Sequence, residues 1–461
     1  MTIQAPLLED VAPQFEPPAS ASAHSWPRPT DAWRTLWVLS LVLGLSQIDR
    51  NILSLLVGPI KHDLKLSDGQ VGLLLGLSFL CVYLFLSFPL SRLSDTKSRK
   101  VMIAVGVAVW SVSTALCGLA HSFWQIFAAR AGIGAGESVN GPATYSLLAD
   151  NFPRDKLPRA MSILNIGFMI GTAFSLVAGG LVIGALTHVH LSLPVIGPLK
   201  TWQLVFMAIG LPGLLVSALM LTVKEPARRG VGGKAASGQA APLSEVAGFL
   251  IRNGRFWGCM QLSVFIDGVL LYGAQNWRPE FFRRTFHWSA QQMGVSFGTA
   301  TLIATVIAIV VGPVLYERLN RWRADGTMLA AFIAKAIAIP FLIGGWLAPN
   351  PWFAVVCGAT ATAVALISTP AMTAALQTVT PNNIRAQVNS LGLLLLSGLA
   401  GSAGPYVIGA ITDMFHDENK LRYVLAGAVA IGSPIALAIF WFSIKPYGKM
   451  IEDIKAAEAR G

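Results

Sequence analysis

Apolar runs of around 20 residues recur along almost the whole chain, about twelve in all. A helix rises about 1.5 Å per residue, so each run spans a hydrocarbon layer of roughly 30 Å. The runs begin near Trp33, Gln70, Val101, Phe123, Arg159 and Trp202, and again near Arg255, Gln291, Met328, Trp352, Ile384 and Tyr423. Charged residues make up only 12% of the chain, against about 25% in soluble domains. A soluble core is incompatible with this spacing. The pattern predicts an all-α polytopic membrane protein.

Between the sixth and seventh runs lies a polar break holding Arg228, Arg229, Lys234 and a Gly/Ala/Ser-rich stretch, which reads as a linker. The predicted organisation is therefore a disordered tail over 1–32, a six-helix bundle over 33–223, a linker over 224–250, a second six-helix bundle over 251–444 and a basic tail over 445–461. That last tail is amphipathic and is expected to lie on the membrane surface. An internal repeat supports two bundles. Phe152-Pro153 leads to Arg159-Ala160 and a Gly-rich span, and Thr380-Pro381 leads to Arg385-Ala386 and another. Parallel repeats of this kind occur in transporters that rock one half against the other.

The net charge is +11, and its placement carries the information. Roughly 23 of the 34 Lys and Arg residues fall in the tails and alternate loops, which makes those loops cytoplasmic by the positive-inside rule. Both termini are then cytoplasmic, and the basic residues give no argument for nucleic acid. The first 32 residues lack the basic start, apolar stretch and cleavage site of a signal peptide. Cys81, Cys117, Cys259 and Cys357 lie far apart in apolar runs and read as small buried hydrophobes. His188 and His190 share a loop without a Cys or carboxylate, so no metal site is expected.

Asp49 and Arg50 are the only charged residues between Leu36 and Ile60. An ionisable group in hydrocarbon costs about 2.5–3.5 kcal/mol on insertion scales, which makes the pair a functional-site candidate. Neighbours on a helix point about 100° apart, so each needs a partner elsewhere. The fourth run offers Arg130 and Glu137 on one helix face. By helix rise, Asp49 lies roughly 15 Å deep from the outer end, Arg130 roughly 10 Å and Glu137 roughly 21 Å. A mid-membrane network of Asp49, Arg50, Arg130 and Glu137 is expected. Arginine stays charged while a buried carboxylate can take a proton, so Asp49 and Glu137 are the candidate proton sites and Arg50, Glu137 and Arg130 candidate substrate contacts. In the seventh run Asp267, with Tyr272 and Asn276 farther along, is a weaker candidate for the same cavity. Asp267 and Lys335 read as isolated charges that snorkel from span ends as readily.

The loop from Ser91 to Lys100 resembles the major facilitator superfamily pattern Gly-x-x-x-Asp-Arg-x-Gly-Arg-Arg/Lys. Asp95, Arg99 and Lys100 match; Ser91, Thr96 and Ser98 depart. Arg130 through Gly134 and Gly136 resembles the superfamily's fourth-helix motif Arg-x-x-x-Gly-x-Gly. A closer resemblance is to the spinster-like branch, carried by Asp49-Arg50 with Leu53-Ser54-Leu55-Leu56, Gly136-Glu137, Tyr145 through Asp150 to Phe152-Pro153, Gly210-Leu-Pro212-Gly213 and Glu225-Pro226-x-Arg228. Gln203 replaces the usual Arg, and beyond residue 228 only Trp277-x-Pro279 and Arg283 look similar.

The resemblance implies a fold of twelve helices in two bundles with pseudo-two-fold symmetry. It implies proton-linked export or exchange of amphiphiles such as lysophospholipids, with Asp49 and Glu137 as proton sites and Arg50 on the polar head. It also implies an inner-gate latch in which Asp95 meets a helix N-terminus and Arg99 pairs with Asp150. The expected energy source is a proton gradient, with no cofactor. The expected partners are membrane lipids, an amphiphilic substrate and protons, and the expected state is a monomer in a plasma or bacterial inner membrane. A carrier of small organic anions or drugs is the alternative. A lipid-modifying membrane enzyme is remote, because no nucleophile–base or metal set is present in the runs.

Overall fold

The computed structural model describes residues 26–94, 96–153, 155–193, 197–228, 243–320, 325–381 and 384–458. Of the predicted tails and linker, residues 1–25, 229–242 and 459–461 lie outside the described residues, as does Asp95 of the loop motif.

The first half comprises α1 (Pro29–Leu55), α2 (Val57–Leu64), α3 (Asp68–Leu75), α4 (Leu77–Ser94), α5 (Arg99–Cys117), α6 (Phe123–Glu137), α7 (Asn140–Asn151), α8 (Leu157–Leu186) and α9 (Thr201–Leu221). A small antiparallel hairpin, β1 (Ser192–Leu193) with β2 (Gly197–Pro198), fills the loop after α8. A linker helix, α10 (Leu243–Arg252), precedes α11 (Gly254–Phe286), α12 (Ala290–Asn320), α13 (Gly326–Trp346), α14 (Pro351–Val379), α15 (Arg385–Leu393), α16 (Gly401–Met414) and α17 (Leu421–Glu458). A π-helical stretch, Leu394–Ala400, joins α15 to α16.

Ten of the resulting segments are long and apolar enough to cross a membrane. The remaining two crossings are broken: α6 stops at Glu137 before α7, and α15 passes through the π-helical stretch into α16. The starts are locally encoded. Ser67 and Gln70 form a capping box ahead of α3, Ser122 accepts the Gln125 N–H ahead of α6, and Asn350 accepts the Phe353 N–H with Pro351 as first helical residue of α14. These groups satisfy N–H donors that a helix start leaves open. Pro142 stands in the first turn of α7, where its missing N–H costs little.

One face carries the first described helix end and the last. There Asp31 pairs with Lys224 at 2.9 Å and Tyr447 of α17 stacks on Phe256 of α11; we call it the termini face and its opposite the far face. The two bundles pack on the far-face side, α3 against α16 and α8 against α12, a symmetry-related pair of contacts. Gly72 lies so close to the α16 backbone that a Cβ would meet the Pro405 carbonyl oxygen at 2.5 Å. Leu80 and Leu84 reach Gly401 and Gly398 nearer mid-membrane. Among the described residues the polar contacts between the bundles cluster on the far face, and we refer to the space between the bundles on the termini side of them as the cleft.

The C-terminal segment departs from expectation. At about 57 Å for 38 residues, α17 runs on past the membrane as one helix instead of turning onto its surface. Buried Tyr447 and Ile451 join Val246 and Phe249 of α10 in an apolar cluster. The apolar side of the tail thus finds protein partners, and this removes the drive to lie in lipid.

Candidate functional site

The four charged residues of the first and fourth spans meet beside the cleft. Asp49, Arg130 and Glu137 are each no more than 2% exposed. Their meeting depends on close packing of α6. A Cβ at Gly134 would stand 2.2 Å from the Phe79 carbonyl oxygen, and one at Gly136 2.5 Å from that of Gly106. The glycines press α6 onto α4 and α5 and turn Glu137, its last residue, toward α1.

Within the cluster the groups are unequal. Arg50 grips Glu137, with Nη2 2.5 Å and Nε 2.7 Å from Oε2. The Arg50 guanidinium lies over the Phe79 ring at 4.9 Å and near that of Tyr83 at 5.7 Å. Its side chain is 37% exposed while that of Glu137 is 1% exposed, so the pair presents its cationic side to the cleft and buries its acid. Tyr272 of α11 is an electrostatic neighbour of Arg50 from the opposite bundle. Arg130 donates from Nη1 to the Asp49 backbone carbonyl at 3.5 Å, a long contact, and its Nε has no partner among the described residues. No donor meets full hydrogen-bond geometry at either carboxylate oxygen of Asp49 among them, although the Thr114 hydroxyl and the Trp110 indole lie close enough to interact with it. The groups facing it are the Trp110 indole, the Thr114 hydroxyl and the Arg130 and Glu137 charges.

Asp267 and Asn276 are not brought to this cluster. Asp267 pairs with Lys335 of α13 at 2.5 Å, and Lys335 also donates to Ser263 at 3.2 Å and sits 4.6 Å from the Phe440 ring centre. The two charges read as isolated in the sequence are each other's partners, because two distant spans pack side by side. Asn276 donates to the carbonyl of Tyr272 one turn back on its own helix.

At the termini face Arg99 pairs with Asp150 and also with Glu225 at 2.9 Å. Glu225 further accepts from the Ser98 hydroxyl and the Lys100 N–H. Burial opposes its charge, but these donors outweigh burial and hold its carboxyl below the ordinary 4.5. Lys100 donates from Nζ to the Val223 carbonyl. All these residues belong to the first bundle. The cluster ties α5 to α7 and to the segment after α9, within one bundle.

A bridge missed in the sequence lies at the far face. Arg284 of α11 donates from Nη1 and Nη2 to Asp68 at 2.8 and 2.7 Å and from Nε to Glu280 at 2.6 Å. Lys61 spans Asp68 at 2.6 Å and Glu418 at 2.7 Å. Asp413 of α16 accepts the backbone N–H groups of Asp68 and Gly69 at 2.9 and 2.7 Å, capping α3 from the other bundle. Glu280 and Arg284 stand four residues apart, a spacing legible in the sequence; the other partner of Arg284, Asp68, is more than 200 residues away.

Two helix bundles joined at one face, the first holding a buried charge cluster, have the architecture of a membrane carrier. The Major Facilitator Superfamily model matches residues 39–405, and the chain belongs to that family. It is 26% identical over 89% of its length, and 90% of the other's, to an MFS-type efflux pump of Mycolicibacterium smegmatis. It is 24% identical to Protein spinster homolog 3 of Danio rerio, over 91% and 86% of the two chains. Among solved structures, a bacterial homolog of the human lysosomal transporter spinster, crystallised inward-facing and unoccupied, matches with a TM-score of 0.77. That match has 22% identity and covers 92% of this chain and 98% of the other. The chain is an integral membrane transporter of this superfamily, similar in sequence and fold to spinster proteins.

Proposed function

We propose that this protein is a proton-coupled secondary transporter of amphiphilic, lipid-like molecules such as lysophospholipids. Asp49 carries the reading: a carboxylate 1% exposed, at mid-membrane, with no donor in full hydrogen-bond geometry at either oxygen among the described residues. An ionised carboxylate so placed is costly, and a proton relieves the cost. In the coupled cycle, a proton on Asp49 changes the field at Glu137, which holds Arg50. Released from Glu137, Arg50 takes an anionic head group, with Phe79 and Tyr83 beside it to cover the start of an apolar tail. Proton loss returns Arg50 to Glu137. The termini face is cytoplasmic by its basic loops, so the cleft receives substrate from the cytoplasm or the inner leaflet. The working unit is a monomer in the plasma membrane.

The test is lysophosphatidylglycerol transport in proteoliposomes with and without a pH gradient. Asp49→Asn is expected to leave binding within about threefold while abolishing acceleration by the gradient; about 1 kcal/mol or less separates such affinities. Arg50→Gln is expected to weaken binding about tenfold or more, the loss of one charge-assisted contact. Gradient-driven transport by Asp49→Asn at the parent rate would end the coupling assignment. A second reading, transport of small organic anions or drugs, is favoured by the partial exposure of Arg50 and by the efflux-pump relative. Failure of lysolipids to compete with such an anion for binding would select it.

A further inference from the structure

Arg278, on the far-face half of α11, has neither an ion pair nor a hydrogen bond among the described residues. Arg50, Arg99, Arg130, Arg283 and Arg284 each have at least one. Its guanidinium rests 4.3 Å from the Phe297 ring centre and 5.5 Å from that of Trp346. It lines a small pocket with Phe281, Phe341 and Gly345, among α11, α13 and α14. The platform is built by a close approach. A Cβ at Gly358 would stand 2.7 Å from Cε2 of Phe297, so only glycine lets that ring lie where Arg278 covers it.

Depth places the pocket in the leaflet. Arg278 precedes the end of α11 by eight residues, or about 12 Å of helix rise. Phe341 of the lining is 36% exposed, and α14, which lends Ala354 and Gly358 to the pocket, carries the exposed apolar residues Trp352, Phe353 and Val356 elsewhere on its surface. An arginine keeps its charge at any ordinary pH, and its fork suits phosphate oxygens. A cation at this depth without a protein anion is costly, while stacking on two rings offsets only part of that cost. A lipid-borne anion completes the site, as basic pockets between spanning helices do for lipid head groups.

We propose that Arg278 and its aromatic platform hold the phosphate head group of an anionic amphiphile of the far leaflet, at a site separate from the Arg50 cluster. The tail lies along α13 and α14, and the site does not depend on the transport reading.

The experiment is native mass spectrometry of the full-length protein released from detergent containing either phosphatidylglycerol or phosphatidylcholine, with inorganic phosphate as a third arm. The parent protein is expected to retain one phosphatidylglycerol that Arg278→Met loses, with about a tenfold fall in occupancy, equivalent to about 1.4 kcal/mol. Arg278→Lys keeps the charge and tests folding; it is expected to fall between the two. Gly358→Ala disturbs the platform without removing the charge and is also expected to lower occupancy. Retention of phosphatidylcholine is expected to be the same in all four proteins. Equal phosphatidylglycerol retention by the parent and Arg278→Met would overturn the proposal. Displacement of the bound lipid by millimolar inorganic phosphate would overturn the lipid source and leave a free-anion site.

Discussion

At the scale of single residues, the two mid-membrane carboxylates are alike in burial and unlike in bonding. Glu137 holds two contacts from Arg50, whereas no donor among the described residues meets full hydrogen-bond geometry at the Asp49 carboxylate. Hydrogen bonds to charged groups contribute about 1.5–3 kcal/mol each. Thermal unfolding in detergent is therefore expected to show Glu137→Gln destabilised by several degrees and Asp49→Asn unchanged or more stable. The reverse order would contradict this division of labour. Glu225 supplies a pH prediction outside the membrane. Its folded carboxyl lies below the ordinary 4.5, so its contribution is present above that value and fades as pH falls through the lowered one. The stability gap between the parent and Glu225→Gln is expected at pH 7 and to close as pH falls below the ordinary carboxylate range. Asp49, Arg50 and Glu137 were legible as candidates because a charge in an apolar run is conspicuous. The Asp267–Lys335 pairing was not, because two lone charges in different spans carry no sign of each other.

At the scale of elements, the glycines separate packing within a bundle from packing between bundles. A Cβ at Gly136 would meet the Gly106 carbonyl oxygen of its own bundle; one at Gly409 would meet the Asp68 carbonyl oxygen of the other at 2.3 Å. Overpacking costs about 1–3 kcal/mol where backbone cannot yield. Gly136→Ala is expected to lower the melting temperature and the yield of folded protein. Gly409→Ala is expected to leave each bundle folded and to disfavour far-face closure, read as increased labelling of a cysteine placed at Ser402. A loss of folded protein as severe as that of Gly136→Ala would contradict the distinction. Among the described residues ten crossings follow from length and apolarity. The breaks after Glu137 and through Leu394–Ala400 did not stand out, since hydropathy is blind to a turn inside an apolar run.

For the whole molecule, the state observed depends on the far-face network. Arg284, Asp68, Glu280, Lys61, Glu418 and Asp413 join elements from both bundles, and opening the far face must part them. Breaking a buried pair by removing one partner costs about 3–5 kcal/mol, enough to move a two-state equilibrium by more than a hundredfold. Arg284→Gln is expected to shift the spin-label distance between Lys65 and Asp417 toward longer values, and an unchanged distribution would remove the network from gating. The termini-face cluster of Arg99, Asp150 and Glu225 lies inside one bundle, so its direct effect is on that bundle's shape.

The sequence by itself determined that this chain crosses a membrane in two groups of six helices, with the charges of its first and fourth spans at issue. Those properties reside in local hydropathy, in spacing along a helix and in short motifs. The tertiary structure decided which charges pair, that α17 docks on the linker helix, and that the bundles meet at the far face. Each of these depends on residues from distant parts of the chain reaching contact, and contact energies fall away within a few ångströms. Side chains separated by hundreds of residues can be matched only after the helices that carry them have packed.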